Sequence, residues 1–495
     1  MKHPFCPNQL QRNAIPFVLL LFSITPLLTH RNSLVSGSSV SERIAKRPDP
    51  LRKFKHYAGN FDIRNKHYWA SAAFTGIHGY AVAGVWLLCG VGFGVFVVVK
   101  NLISTFPIVD RSNSSNIIVF LLIILFTIFA IGCSSVAIAA NEKSSQRAEK
   151  LEEIIFGAGE DASLTIAKVK STMVQMHTLL LPYDSKTCDL LDLIAHRLRK
   201  VSLTVNTFVQ SSRKYWDRAI QTLYVVNVVV VSIDLVALVA GFVLLALQNR
   251  PGIIVLIFCC WILTTLSWIL TGVDFFFYNF IGDTCSTLKN FEEDPQNNSL
   301  MDMLPCPNFT SSAQTLEQIN YSVHSFISEI NSKIEEVLIQ INDQNEEVSF
   351  PEVCDPFSSA PDYAYKPQNC RNNSIPVGDL PTILSRFICY EANMSTENCM
   401  EDGKFVPEGI YEMSLAYSRS IEDFINIYPD LSSLMECSSL KRAFSEIVAG
   451  QCRPIELWTK VLWSSMLGLS LVMIVLVLLW SCKSIFTASL QRSNL

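Results

Sequence analysis

Charge is what this chain has little of. Only 17% of its 495 residues are Asp, Glu, Lys or Arg, against about a quarter in ordinary soluble domains. Mean hydropathy is +0.30, and 49% of residues are hydrophobic. Such a composition excludes an ordinary soluble protein, and the length exceeds that of one domain. Catalytic signatures are missing too: no GxSxG, HExxH, Walker A or Rossmann glycine triplet occurs, and the eight histidines are scattered. Neither an enzyme nor a cofactor is expected. CxxC pairs are absent, which argues against a cytosolic zinc site.

What the chain has instead is long apolar runs. Five could cross a bilayer as helices, which takes about 20 residues each: 80–99, 117–140, 223–247, 253–271 and 461–480. A shorter run, Ala14–Leu28, is interrupted by Pro16 and Pro26. Lys2 and Arg12 precede it, and small residues such as Gly37 and Ser38 follow. This is the pattern of a secretory signal peptide, here 1–37, with an uncleaved anchor as the alternative.

Two long hydrophilic segments separate the runs, 141–222 and 281–460. The second holds eight cysteines, Cys285, Cys306, Cys354, Cys370, Cys389, Cys399, Cys437 and Cys452. It also holds five N-x-[ST] acceptors, Asn297, Asn308, Asn320, Asn372 and Asn393; Asn113 is the one other in the chain. An even cysteine set among clustered acceptors argues for disulfides and glycans in an oxidising compartment. The connectivity stays open. A cleaved signal followed by five spans then puts 38–79, 141–222 and 281–460 outside and the tail 481–495 in the cytosol. The expected location is a membrane of the secretory route, most simply the plasma membrane.

The N-terminal segment runs against the positive-inside rule. Eight Lys and Arg between Arg43 and Lys66 stand against Glu42, Asp49 and Asp62, a net of +5. Residues 281–456 are the opposite: 28 Asp and Glu against 10 Lys and Arg, a net of −18. That acidity reads as a solvated face, or as a partner for the basic collar or for loosely held cations. It has no EF-hand spacing.

The outer segments read as helix. Apolar residues recur at helical spacing from Leu151 through Leu180, the Pro182-Tyr183-Asp184 stretch interrupts, and the pattern resumes from Leu190 to Phe208. This predicts a hairpin about 60 Å tall, with Gly157 and Gly159 as sites for a kink. A second seam, Leu316 to Ile341, keeps a 3-4 spacing and predicts a long helix packed on that hairpin. Residues 350–408 predict disulfide-pinned loops, and 409–450 a last helical region. The expected fold is an all-α membrane protein: five transmembrane helices with an elongated helical, disulfide-pinned ectodomain.

Three stretches carry a resemblance: "DPLRKFKHYAGNFDIRNKHYWASAAFTG" (49–76), "GDTCSTLKNFEEDP" (282–295) and "DMLPC" (302–306). Their DPL-x-x-F-x-x-Y-x-G, N-x-HYWAS, DTC and LPC pieces resemble a plant family of uncharacterised five-span membrane proteins. A double glycine usual in that family stands here as Gly59-Asn60. The layout is also similar to that of prominins, which organise membrane protrusions and contact sterol, and of tweety proteins, long discussed as anion channels. The resemblance implies that Cys285 and Cys306 are framework cysteines and that His67-Tyr68-Trp69 is a family feature. Tyr68 and Trp69 suit an interfacial aromatic belt.

One charge lies deep in a span. Asp234 has no intramembrane Lys, Arg or Glu beside it, and Asp274 is expected at a water-accessible edge. The connection between the third and fourth spans, Gln248–Gly252, is short enough to force an antiparallel pair. Asp234 then falls level with Leu266, near Thr264, Thr265, Ser267 and Trp268. Asn227, Asp234 and Gly241 share one face at seven-residue spacing, a stripe that faces another helix. Asp234 is therefore either a buried structural contact or a cation- or proton-coupled site. Gly90 and Gly94 form GxxxG, read as packing. Cys259, Cys260 and Cys482 are candidates for acylation or for packing. Cys188 is either a free thiol or an intermolecular bridge. The function expected is a non-enzymatic membrane glycoprotein acting as a membrane-organising or interaction scaffold, with an ion channel or transporter using Asp234 as the alternative. Its expected partners are the bilayer, sterol by the prominin likeness, other proteins or further copies of itself, and no nucleic acid.

Overall fold

The computed structural model describes residues 44–102, 114–247, 250–294, 300, 309–342, 351–370, 374–389, 406–435 and 437–491. The expected signal peptide, Asn113, Asn297, Asn308, Asn372, Asn393, Cys306 and Cys399 lie outside them. The chain is built almost wholly of helices. These are α1 (Lys66–Phe74), α2 (Ile77–Leu102), α3 (Ser114–Leu180), α4 (Ser185–Ala246), α5 (Arg250–Glu293), α6 (Phe309–Asn342), α7 (Leu380–Leu384), α8 (Glu408–Met435), α9 (Ser438–Gly450) and α10 (Cys452–Gln491). Two minimal strand pairs accompany them: β1 (Pro48–Asp49) antiparallel to β2 (Lys55–His56), and β3 (Ile388–Cys389) parallel to β4 (Val406–Pro407). Five helices, α2, α3, α4, α5 and α10, contain a stretch long and apolar enough to cross a membrane. The chain is thus an all-α membrane protein, and a lipid bilayer is the environment its apolar surfaces fit.

The helices do not end where the apolar runs end. α3 continues from its span to Leu180 as one helix of 67 residues, and α4 and α5 likewise run on past theirs. No proline occurs between Ala140 and Leu181, and strong helix formers fill 141–155. Gly157 and Gly159 do not interrupt α3. An added Cβ on Gly159 would lie 2.7 Å from Val209, so this glycine serves a close approach to α4 rather than a kink.

The chain divides into two compact units. The first comprises Met1–Glu152, Tyr215–Met303 and Ser445–Leu495. Here α5 packs along both α2 and α10. α10 is apolar on all sides, and Met466, Leu469, Met473, Leu476 and Val477 are all 0% exposed, as expected of a central helix. α2 and α3 instead leave Leu88, Val91 and Ile128 61–73% exposed at the same level, a lipid-facing surface. α2 meets α5 through glycines: an added Cβ on Gly76 would lie 2.3 Å from the Gly272 carbonyl oxygen, and one on Gly79 2.8 Å from the Gly272 Cα. Gly90 and Gly94 also face α5, but against the rings of Trp261 and Phe258. Trp86 stacks on Trp261 at 4.6 Å, and the Trp261 N–H donates to the Trp86 carbonyl at 2.8 Å. Beyond the apolar zone, a disulfide joins Cys285 of α5 to Cys452 of α10, with Cα atoms 5.6 Å apart.

The second unit comprises Glu153–Lys214 and Leu304–Phe444. The hairpin of α3 and α4 turns at residues 181–184. Its core joins Val169, Met173 and Met176 to Phe357, Phe424, Ile427 and Tyr428, so the principal partner of the hairpin is α8 with its neighbouring loop. Among the described side chains, α6 contributes Ile319 and Val323 at the edge of that core, with Asn320 bonded to Tyr428. Its Ile327–Ile334 face packs instead on Val353, Val377, Leu380 and Ile421. The expected pairing of α6 with the hairpin is thus found at Ile319 and Val323, and from Ile327 to Ile334 the loop segment supplies its own apolar side chains and takes that face. Cys354 pairs with Cys370, and Cys389 and Cys437 are also disulfide-bonded.

Candidate functional site

Two clusters of buried polar side chains stand out in the first unit. One lies along the α4–α5 interface. Asp234 is 0% exposed, and the Ser267 hydroxyl donates to its Oδ2 at 2.9 Å. The short connection had placed Leu266 opposite it, one residue away. Of the four donors considered at that level, only Ser267 reaches the carboxylate. Thr264 and Thr265 donate to their own helix at the carbonyls of Cys260 and Trp261, and the Trp268 N–H has no partner.

Seven residues along each helix lies a second rung. The Asn227 amide donates to Asp274 Oδ1 at 3.1 Å and to Asn141 Oδ1 of α3 at 3.4 Å. The rungs are about 10 Å apart at helical rise. Asp274 is therefore not at a watery edge. It is 2% exposed, because α5 continues past the apolar run and carries the carboxylate in among its neighbours. Between the rungs the Thr271 and Ser470 hydroxyls meet at 3.2 Å, tying α5 to α10. Gly241 completes the α4 stripe: an added Cβ would lie 2.7 Å from the Trp480 ring. The sequence placed Asp234 in the interior but put Asp274 at the edge. Ser267 and Asp274 repeat on α5 the seven-residue step of Asn227 and Asp234 on α4, and that symmetry was a usable signal.

The second cluster is built from motif residues together with Arg47, two positions before the first motif stretch. Asn65 caps α1 by accepting from the His67 backbone N–H at 2.9 Å, which fixes where the HYWAS helix begins. Asp49, 0% exposed, accepts from the Leu51 N–H at 2.9 Å and contacts His67 Nδ1 at 2.8 Å. The Arg47 guanidinium forks onto Asp283 of α5 at 2.5 and 2.7 Å, and the Tyr68 hydroxyl donates to Asp283 at 3.2 Å. The basic collar thus meets the acidic segment at Asp283. Tyr68 is 0% exposed, packed edge-on to Phe61 at 5.2 Å, so it is a core residue and not an interfacial anchor. Burial first, and the Asp283 carboxylate second, hold its hydroxyl far above the ordinary tyrosine range. Trp69 is 39% exposed, with its ring stacked on Phe280 at 5.2 Å and its N–H donating to the Ile63 carbonyl. Sequence reasoning quoted both motif stretches without pairing them, since nothing local relates Arg47 to a residue 236 positions away.

No protein-family model and no curated protein matches the chain. The arrangement itself must carry the functional reading. Among the described residues, no three His, Cys, Asp or Glu gather as a metal site.

The remaining candidates fall in place individually. Asn320 is 5% exposed and its amide nitrogen donates to the Tyr428 hydroxyl at 2.9 Å. A glycan on that nitrogen would displace the tyrosine from its core, so the fold closes this acceptor. Cys188 is 3% exposed, and its thiol donates to the His177 carbonyl at 3.5 Å. It is a buried thiol, which excludes the intermolecular bridge in this fold. Cys260 is 0% exposed and serves packing, whereas Cys259 is exposed.

Proposed function

We propose that this chain is a non-enzymatic, multi-pass membrane glycoprotein whose helical unit, on the extracellular side, organises membranes or binds partners. The observation that carries this reading is where the motif residues go. Asp49 pairs with His67 inside the N-terminal segment, and Tyr68, joined by Arg47 just before the motif, holds that segment on Asp283 of α5. Residues that could have formed a reactive centre are thereby used to build a frame. The Cys285–Cys452 bridge strengthens the same frame and supports an oxidising, exoplasmic side for it. Tests of sidedness and activity are separate. Protease protection with glycosidase digestion should place 141–222 and 281–460 on the exoplasmic face. Purified protein in liposomes should pass no more ion than empty vesicles while altering vesicle shape. Reproducible flux would refute the scaffold reading.

A channel or transporter is the second reading. Two buried carboxylates on facing helices favour it, each with one oxygen that has no protein donor. Asp234→Asn separates the two readings. The scaffold reading expects normal surface levels with no current to lose; a current lost at normal surface levels would make Asp234 a working part of a path.

A further inference from the structure

The meeting of α3, α4 and α5 leaves two buried oxygens without a donor. Asn141 is oriented by its amide, which donates to the Tyr224 carbonyl at 3.0 Å. Its Oδ1 therefore faces Asn227. The Asn227 amide nitrogen faces two acceptors, Asn141 Oδ1 and Asp274 Oδ1, so its orientation is fixed and both its hydrogens are used. Asn227 Oδ1 and Asp274 Oδ2 remain unpartnered on residues 1% and 2% exposed. Buried acceptors call for donors or cations. One of these belongs to a carboxylate, so the missing partner carries positive charge.

The surroundings supply none. Tyr80 of α2 lies within electrostatic reach of Asp274, and His78 of α2 stacks on the neighbouring Phe275 at 4.8 Å. Glu142 of α3 accepts from the Tyr224 hydroxyl at 2.9 Å. None of these side chains donates to Asp274, and among the described residues no basic side chain pairs with it.

We infer that Asn227 and Asp274 together hold one monovalent cation, Na⁺ or a proton. A single carboxylate balances a single charge. Carboxamide and carboxylate oxygens are hard ligands of the kind Na⁺ takes. A proton on Asp274 Oδ2 would be donated to Asn227 Oδ1 and complete a doubly hydrogen-bonded acid–amide pair. Either occupant satisfies both oxygens. The inference does not rest on the scaffold reading, because a bound cation can be structural or can move.

The test uses the full chain in nanodiscs, with Tm followed at constant ionic strength. NaCl is exchanged against choline chloride, and pH is varied without Na⁺. A Tm that rises with Na⁺ assigns the site to Na⁺; a Na⁺-independent Tm whose pH dependence is smaller in Asp274→Asn than in the wild type assigns it to a proton. Asp274→Asn, which keeps the shape and removes the charge, should abolish a Na⁺ response or reduce a pH response below that of the wild type, while Asp234→Asn leaves the response attributable to Asp274 in place. A wild-type Tm indifferent to both variables overturns the inference, as does a Na⁺ or pH dependence that Asp274→Asn leaves unchanged. If Asp274→Asn does not fold, equilibrium binding of radioactive Na⁺ and the infrared band of a protonated buried carboxyl are measured on Asp234→Asn, which removes the other buried carboxylate of the α4–α5 interface. Absence of both signals overturns the inference, and either one supports it. Flux is not read in these assays, so the function proposed above can fail or hold independently.

Discussion

Asp283 gathers donors from residues 236 and 215 positions away, Arg47 and Tyr68, while its own side chain is 3% exposed. Removing one member of a buried charged pair leaves the other uncompensated, at a cost of about 3–5 kcal/mol. Asp283→Ala is therefore expected to lower the Tm of the purified protein sharply, and Arg47→Ala to do so comparably. If both variants melt like the wild type, the collar is not held by this carboxylate. Asp184 works at smaller scale. It caps α4, accepting from the Thr187 hydroxyl at 2.5 Å and from the Lys186 and Thr187 backbone N–H groups, each at 3.1 Å. The Thr187 hydroxyl, then the backbone N–H bonds, hold its carboxyl below the usual range. Its contribution is present above the ordinary carboxylate range and is lost as pH falls through the lowered value. Asp184→Ala should cost about 1 kcal/mol at neutral pH, and Asp184→Asn should flatten the acid limb of a stability–pH profile. What was legible at this scale was local. A five-residue connection set the register of Asp234 because antiparallel helices leave little freedom. The Arg47–Asp283 fork was illegible, since it depends on where two distant segments land.

Elements were legible to the extent that they follow local periodicity. Apolar runs located five helices, and a proline located the turn between α3 and α4. Hydropathy did not locate their ends, because helix propensity continues after apolarity stops, and this is how Asp274 came to be expected at the edge. Helix-to-helix contact was less visible still. The GxxxG pair lies against aromatic rings, while the true backbone approach uses Gly76, Gly79 and Gly272, whose spacing matches no pair motif. Gly272 makes this testable, since an added Cβ would fall 2.8 Å from the Tyr80 ring and 2.9 Å from the Gly76 carbonyl. Gly272→Ala should destabilise by about 1–3 kcal/mol through overpacking. Gly84→Ala, on the same α2 with open space around it, is the control and should be neutral within error. Equal melting of the two variants would contradict close packing of α2 on α5.

For the whole molecule, the sequence conveyed the class and the number of spans. It also conveyed an expected sidedness, which an epitope inserted near residue 360 would check: it should be reachable on intact cells, and staining only after permeabilisation would invert the topology. Glycan count gives a finer check. Asn320→Gln should leave electrophoretic mobility unchanged, since its amide is held by Tyr428, whereas removal of an occupied acceptor shifts the band.

The bond between Cys285 and Cys452 spans 167 positions of sequence. Everything between those positions is a loop drawn shut at its neck. A shedding protease that cut once inside it would release no fragment: the two pieces would stay tethered until a reductant opened the clasp. A nicked molecule would run as full-length on a non-reducing gel and as two bands after thiol treatment. Reduction after one cut would still leave both pieces in the membrane, because α5 stays with one and α10 with the other; freeing the segment between them would take a second cut as well.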